Sequence, residues 1–384
     1  MQRAFRYRAY PNREQEEAMT SLLEAHRRLY NNALAERKCV YESEQRTVTY
    51  GEQSAKLKVE RKVNPYLALC NFSSCQRTLR RLDRAFQAFF RRLKTGEKAR
   101  YPRFRGYGQF DSVDFTIGDG AKLTKEGKAY FQNVGEVKVK LHRPVEGEIK
   151  TATFRRCADG WYVIFVCEVE QKVTEPSPNP PIGIDLGLKS FLVTSDGESV
   201  EPPKLYRKAQ AKLRRCQRSV ARKKRGGKNR RKAVKRLARV HAHVANQRKD
   251  FHHKVAKSLI DRYGLIAHED LNVKGMVRSL NLAKSTHDAG WSQFLEILRQ
   301  KAECAAVSIA PVNPSHTTQT CRHCGCLPTV PIDLSVRLYT CEHCGFSLDR
   351  DHNAAINILK RAGTLPLQAN VGGCPKRSAR SPRL

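Results

Sequence analysis

Two cysteine pairs, Cys321-x2-Cys324 and Cys341-x2-Cys344, stand 16 residues apart in a chain of 384 residues. Each pair lets one tight turn present two thiolates to a single tetrahedral ion, and the spacing between the pairs lies in the range of zinc ribbons. Gly325 and Gly345 follow the two turns and permit the tight backbone there. Four protein ligands leave no open position, so the ion would be a structural Zn2+. A disulfide pair and an iron–sulfur site are the alternatives; the paired-knuckle pattern disfavours the second. Cys326 is a competing ligand, whereas His323 and His343, inside the knuckles, are read as pointing outward.

Three acids pose a second chemical question. Asp185 interrupts the apolar run Ile182 to Leu186, and Glu269 ends the apolar run from Leu265. A carboxylate in a buried strand needs a partner, because an unpaired buried charge is costly. Asp351 opens the helical pattern Asn353 to Leu359, where an acid favoured by the helix dipole is the plain alternative. Gly183-Ile184-Asp185-Leu186-Gly187 by itself also resembles the first phosphate-binding turn of actin-like ATPases. Together, two strand acids and a helix-start acid can hold two Mg2+ ions, with Mn2+ as the other candidate, about 3.5–4 Å apart across a phosphodiester.

The elements that must position these groups are legible as patterns. A strand-like stretch, Phe5 to Tyr10, precedes a helical pattern from Glu14 to about Lys38, and a second helix is predicted from about Ser73 to Lys94. From Val113 to Glu170 the character is β, with a hairpin signal at Asp159-Gly160, so a small barrel or sandwich is expected around the helical block. Glu175 to Pro181 reads as a linker. Beyond it come the strands bearing Asp185 and Glu269. Between these strands lie two long basic helices, about Lys204 to Lys224 and Lys228 to Tyr263, broken at Gly226-Gly227. Ala209, Leu213, Cys216 and Val220 give the first of these a hairpin seam. A further helix is expected from about Ala289 and a strand from Val307 to Val312.

Lys and Arg number 72 against 37 acids, a formal net charge of +35. Such a chain repels itself unless a polyanion is its partner, and no apolar run is long enough to cross a bilayer. Nucleic acid is therefore the expected partner, not a membrane. Phosphate contacts are expected from Arg80 and Arg84, from Arg103 in the basic-aromatic segment Tyr101 to Arg105, and from Arg222, Lys223, Lys224, Arg230 and Arg231 in the helix hairpin. A solvated surface is the plain alternative for each. Nine of the 13 cysteines are scattered and no secretory segment opens the chain. Reduced thiols and a cytoplasmic, nucleoid-associated place in a bacterial or archaeal cell are expected.

Read together, the motifs closely resemble the TnpB proteins of insertion sequences, relatives of type V CRISPR effectors. Gly183 to Gly187 matches the first RuvC motif, His268-Glu269-Asp270-Leu271 the second, and Asp349-Arg350-Asp351-His352-Asn353-Ala354-Ala355 the third. The resemblance implies a multidomain α+β chain. A wedge-like β-barrel (1–18 and 96–174) would carry an inserted helical recognition lobe (19–95). A linker (175–181) would lead to an RNase H-like, RuvC-type α/β nuclease domain (182–318 and 350–363) with an inserted helix hairpin and a zinc ribbon (319–349). A disordered basic tail (364–384) would follow. It also implies a guide RNA from the transposon end and a double-stranded DNA target cut beside a short adjacent motif, with Asp185, Glu269 and Asp351 as the catalytic metal-binding acids. Tyr50 and Gln76 fall where the family approaches that motif. A nuclease-silent RNA-guided repressor or a transposition accessory protein is the alternative. A DNA-joining transposase has little support, since His241 and His243 flank Ala242 on the basic hairpin and no catalytic Tyr motif accompanies them.

Overall fold

The computed structural model describes residues 1–170, 177–273, 275–276, 283–333 and 336–363. The start of the expected linker and the whole of the expected tail lie outside the described residues. The chain divides into two compact units, Met1–Lys172 and Val173–Leu384.

In the first unit, alternation of apolar and polar residues builds a closed barrel of seven strands. These are β1 (Gln2–Tyr10), β2 (Ser112–Ile117), β3 (Gly120–Leu123), β4 (Lys128–Phe131), β5 (Gly135–Lys140), β6 (Glu148–Cys157) and β7 (Gly160–Glu168), in the order β1-β5-β4-β3-β2-β6-β7. Phe5, Tyr7 and Ala9 of β1 and Trp161, Val163 and Phe165 of β7 face inward. Phe115, Phe131 and Phe154 fill the centre with ring centroids 5.3–5.8 Å apart. Outside, Arg6 stacks on Tyr162 at 3.7 Å. The choice between barrel and sandwich thus falls to the barrel.

Between β1 and β2 the chain runs through α1 (Arg13–Glu44), α2 (Tyr50–Val63), α3 (Pro65–Ala68) and α4 (Phe72–Lys94). A capping box starts α1, with Asn12 and Gln15 satisfying each other's backbone N–H groups. Helix α1 runs past the expected end at Lys38, and α2 and α3 have no counterpart in the sequence reading. Their pattern is weak because only Gln53 and Leu57 of α2 and Leu67 of α3 are buried.

The second unit is built on the strands β8 (Pro181–Asp185), β9 (Leu192–Thr194), β10 (Ser199–Val200), β11 (Leu265–Glu269) and β12 (Ser308–Val312). They form one sheet, in the order β10-β9-β8-β11-β12. The first three are antiparallel neighbours, whereas β8, β11 and β12 run parallel. Between β10 and β11 stand α5 (Leu205–Ala221) and α6 (Lys228–Arg262); α7 (Ala283–Ala289) and α8 (Trp291–Ala305) precede β12. Helix α8 is the one expected from about Ala289, and α7, which was not expected, is set off from it by Gly290 at φ +68°. Leu259, Trp291, Phe294 and Leu298 from the helices cover Ile182, Ile184 and Ile266 of the sheet. A two-stranded ribbon, β13 (Leu338–Thr340) with β14 (Ser347–Asp349), then leads into α9 (Arg350–Arg361).

Helix α9 lies directly on β8, and the closeness is set by one glycine. A Cβ at Gly183 would collide with the carbonyl of Ala355 and stand 2.9 Å from the Leu359 side chain. Gly183→Ala is expected to push α9 off the sheet and cost about 1–3 kcal/mol of stability. Denaturant unfolding checks this, and an unchanged midpoint would show that the helix can slide without cost.

Candidate functional site

Parallel pairing brings two of the three acids side by side. Ile184 of β8 is in register with His268 of β11, so the next residues, Asp185 and Glu269, share the same sheet end. Both are buried, at 8% and 9% exposure. Burial pushes the Asp185 carboxyl well above the usual carboxylate range; the charges of Glu269 and Asp351 push the same way and Arg350 opposes them. Burial likewise raises Glu269, opposed by the Thr317 hydroxyl and by Arg361.

Asp351 comes from the first turn of α9 and is half-buried. The role of plain helix cap belongs to its neighbour: Asp349 accepts the backbone N–H groups of Asp351 at 3.0 Å and His352 at 3.2 Å. The Asp351 carboxylate lies 3.6 Å from Arg337 and 3.8 Å from Arg350. Among the described residues, the three acids do not gather within 4.8 Å of one another as the four cysteines do.

Residues outside the motif acids fix this arrangement. The Thr317 hydroxyl donates to Glu269 Oε1. Asn357 of α9 donates to the carbonyls of Thr317 (2.9 Å) and Thr320 (2.7 Å), and Asn353 donates to Thr320 (2.8 Å). Asn353 Oδ1 accepts from the backbone of Arg322 at 3.1 Å. Thr317 escaped the sequence reading because its partner is 48 residues away. Asn353 and Asn357 did carry a signal, as amides one helical turn apart in an otherwise apolar helix face.

The cysteine cluster follows directly. Cys321 Sγ lies 3.7 Å from Cys344 Sγ, and Cys324 Sγ 3.5 Å from Cys341 Sγ. A tetrahedron with metal–sulfur bonds of ~2.3 Å has edges of about 3.8 Å, so the four sulfurs fit Zn2+. Gly325 and Gly345, at φ +76° and +69°, close the two turns by donating to the Cys321 and Cys341 carbonyls. Burial would raise the Cys341 thiol, but the N–H groups of Cys344 and His343 and the neighbouring sulfurs bring it down to about 6. Cys326 is not among the clustered sulfurs; it is buried, with its thiol 3.9 Å from the Cys324 carbonyl. His323 stacks on Phe346 and His343 meets the Leu327 carbonyl, so neither ring joins the cluster.

The residues expected to meet nucleic acid divide into groups. Tyr50, Gln76 and Arg80 come together where α2 meets α4: Arg80 lies 5.1 Å over the Tyr50 ring, and Gln76 donates to Ser54 at 3.1 Å. Arg84, one helical turn beyond Arg80 on α4, and Arg103 are exposed. Two other arginines of α4 serve the barrel: Arg77 bonds Thr116, and Arg81 pairs with Asp114 at 2.8 Å. Arg222, Lys223 and Lys224 form the turn after α5, and Arg230 and Arg231 begin α6, so these five crowd the hairpin tip. Lys223 bonds Ser219 at 3.2 Å. No helix among the described residues is long and apolar enough to cross a membrane.

The raised Asp185 carboxyl predicts a pH dependence. A group whose folded pKa is raised costs no stability below its unfolded value of 3.8; the cost grows as pH rises and is complete above the folded value. In buffer without divalent cations, Asp185→Asn should therefore raise Tm at neutral pH, and the gain should vanish as pH falls towards 3.8. A gain independent of pH would exclude ionisation as its cause.

Comparison with known proteins follows the same lines. Residues 164–280 match a family described as "Probable transposase", and residues 291–358 match "Cas12f1-like, TNB domain". Residues 1–46 match a "Helix-turn-helix domain", although here they form β1 and α1. The chain is 34% identical over 389 residues to a Streptomyces pristinaespiralis protein named "Putative RNA-guided DNA endonuclease", covering 99% of this chain and 94% of that one. It is 29% identical to "Putative RNA-guided DNA endonuclease InsQ" of Escherichia coli K12, over 84% of this chain and 83% of the relative. The solved structure of the mini-RNA-guided endonuclease CRISPR-Cas_phi3 shares the fold at a TM-score of 0.52 and 10% identity, over 96% of this chain and 93% of that one. With full-length identity of this order and the motif acids in one unit, the chain belongs to the TnpB family of RNA-guided DNA endonucleases.

Proposed function

We propose that this chain is an RNA-guided endonuclease that cuts double-stranded DNA beside a short adjacent motif, using a RuvC-type centre of Asp185, Glu269 and Asp351. The observation that carries the reading is the pair of buried carboxyls at the ends of β8 and β11, each pushed up by burial, with Asp351 facing them from α9. Protonation relieves the repulsion among three such acids, and bound cations would relieve it with the carboxylates ionised. The strand order β10-β9-β8-β11-β12, three antiparallel strands followed by two parallel ones, supports an RNase H-like reading of this sheet.

The donor set fits Mg2+, since all three side chains offer carboxylate oxygens. Two bound ions would supply Lewis-acid stabilisation of the attacking and leaving oxygens of a phosphodiester. The chain's own residues prepare that chemistry. Thr317 orients the Glu269 carboxylate, the Asn353 and Asn357 amides lock α9 to the segment leading into the cysteine cluster, and Asp349 caps the helix so that Asp351 is left for the ions. The sulfurs of Cys321, Cys324, Cys341 and Cys344 would hold one structural Zn2+ in a ribbon.

Guide RNA and target DNA are the proposed partners. Base pairing would read the sequence, while the protein reads the short motif and grips backbones. Tyr50, Gln76 and Arg80 are proposed to meet the duplex, and Arg84, Arg103 and the hairpin-tip cations Arg222, Lys223, Lys224, Arg230 and Arg231 to meet phosphates. The family's RNA source, a transcript of the transposon end, is carried into this proposal.

The test is to purify the protein with RNA expressed from its flanking DNA and to add Mg2+ and a plasmid library with a matched target beside randomised sequence. Guide-dependent linearisation with one enriched flanking motif is expected. Asp185→Ala, Glu269→Ala and Asp351→Ala should each abolish cutting and leave RNA and DNA binding intact. Binding without cutting by the unaltered protein would favour the nuclease-silent repressor. For the ribbon, Cys321→Ser or Cys344→Ser should remove one zinc per chain by elemental analysis and lower Tm; unchanged zinc would rule the ribbon out.

A further inference from the structure

A second group of soft ligands lies in the helical insert of the first unit. His26 of α1, Cys70 of the turn before α4 and Cys75 in the first turn of α4 place one ring nitrogen and both sulfurs within 4.8 Å of one another. All three are fully buried, at 0%, 1% and 0% exposure. Neither cysteine is in a disulfide. From these residues we propose a second metal site, distinct from the four-cysteine cluster, that takes a thiophilic divalent cation, Zn2+ in the cell.

Three observations carry this. The first is the proton accounting at His26. Thr78 donates its hydroxyl proton to the Ser74 carbonyl at 3.2 Å, so its oxygen accepts from His26 Nδ1–H at 2.9 Å. Ser74 donates its proton to the Asn71 carbonyl at 2.8 Å, so it brings none to His26 Nε2, 3.2 Å away. Nε2 is left as the ring atom with a buried lone pair to offer, while Nδ1–H is oriented by a hydroxyl. That is the outer-shell pattern that fixes the tautomer of metal-bound histidines.

The second is preorganisation of the sulfurs. The turn carrying Cys70 is clamped by Arg61, which donates to the carbonyls of Leu67, Ala68 and Cys70 at 3.2, 3.4 and 2.7 Å. Asn71 caps α4 by accepting from Ser74 N at 2.9 Å, which holds Cys75 beside that turn. The third is charge. Two thiolates and a neutral imidazole around a divalent cation make a neutral assembly, the form in which buried charges are tolerated. The set Cys2His leaves one position, and the Ser74 oxygen stands beside it as a donor. A site here would tie α1 to the start of α4, at the opposite end of their contact from the Arg37–Asp83 ion pair that also joins these helices.

The experiment is a metal count on the full-length protein, reconstituted with Zn2+ alone and desalted. About two zinc ions per chain are expected. Cys75→Ser and His26→Gln should each hold about one, and Cys344→Ser should also hold about one, having lost the other ion. Loading with Co2+ alone should give a composite spectrum. Its sulfur-poor component should disappear in Cys75→Ser and its all-sulfur component in Cys344→Ser. One zinc per chain in the wild type, with a purely all-sulfur cobalt spectrum, would overturn the site, as would a Cys70–Cys75 disulfide found by mass after alkylation of the zinc-loaded protein. If Cys75→Ser does not fold, the wild-type count and spectrum decide alone. Loss of zinc in Cys75→Ser with none in Cys344→Ser would instead sink the ribbon and leave this site standing.

Discussion

The second unit is organised by an electrostatic conflict. Adjacent parallel strands end on Asp185 and Glu269, both nearly dry, and α9 brings Asp351 towards them. Arg337 and Arg350 lie against Asp351 on the helix side, and Arg350 and Arg361 only partly offset the burial that raises Asp185 and Glu269. With no cation bound, burial and the charges of Glu269 and Asp351 favour the protonated form of Asp185. Under the proposed two-ion reading, cation binding at this sheet end would be coupled to deprotonation of Asp185. The parallel register, the glycine that lets α9 approach and the threonine on Glu269 all serve to hold in place groups that repel one another.

The cysteine ribbon belongs to the same construction. Its two strands contribute three residues each and cannot fold on a core of their own; Tyr339 and the cysteines form most of the buried cluster there. Cross-linking by an ion is how so small a module stays ordered. Its reach extends to the acids, because the segment entering the first knuckle carries Thr317 and is bonded by Asn353 and Asn357 to α9. Disorder in the knuckles would therefore release both the Glu269 carboxylate and the helix that bears Asp351.

What the sequence disclosed follows the distance over which each interaction acts. The four cysteines were legible because each pair chelates within one turn, and the sulfurs meet at 3.5 and 3.7 Å. Asp185 and Glu269 stood out as charges in apolar strands, whereas choosing between cap and ligand at α9 required coordinates, which give the cap to Asp349. The barrel was visible in its alternation, but α2 was not: Val59 and Val63 are exposed and its buried face is only two residues wide. The basic face of α4 read as uniform, yet Arg77 and Arg81 bond barrel residues 39 and 33 positions away. The grouping of His26 with Cys70 and Cys75 was invisible for the same reason, since His26 stands 44 positions before Cys70 in the chain.

Net charge joins these parts into one requirement. The hairpin of α5 and α6 buries a thin seam, with Leu213, Cys216 and Val240 at its centre, and its flanks carry lysine and arginine at every turn. Like charges one helical turn apart weaken a helix, so this rod is least comfortable when it is bare. The acids have the opposite defect: three carboxylates would turn away a phosphodiester backbone. Each region alone is unfavourable, and under the proposed function a polyanion with divalent cations would relieve both, the cations at the sheet end and the phosphates along the basic helices. A chain with a net charge of +35 and two buried acids at one sheet end gains stability from polyanionic and cationic partners, and its stability should rise with its occupancy.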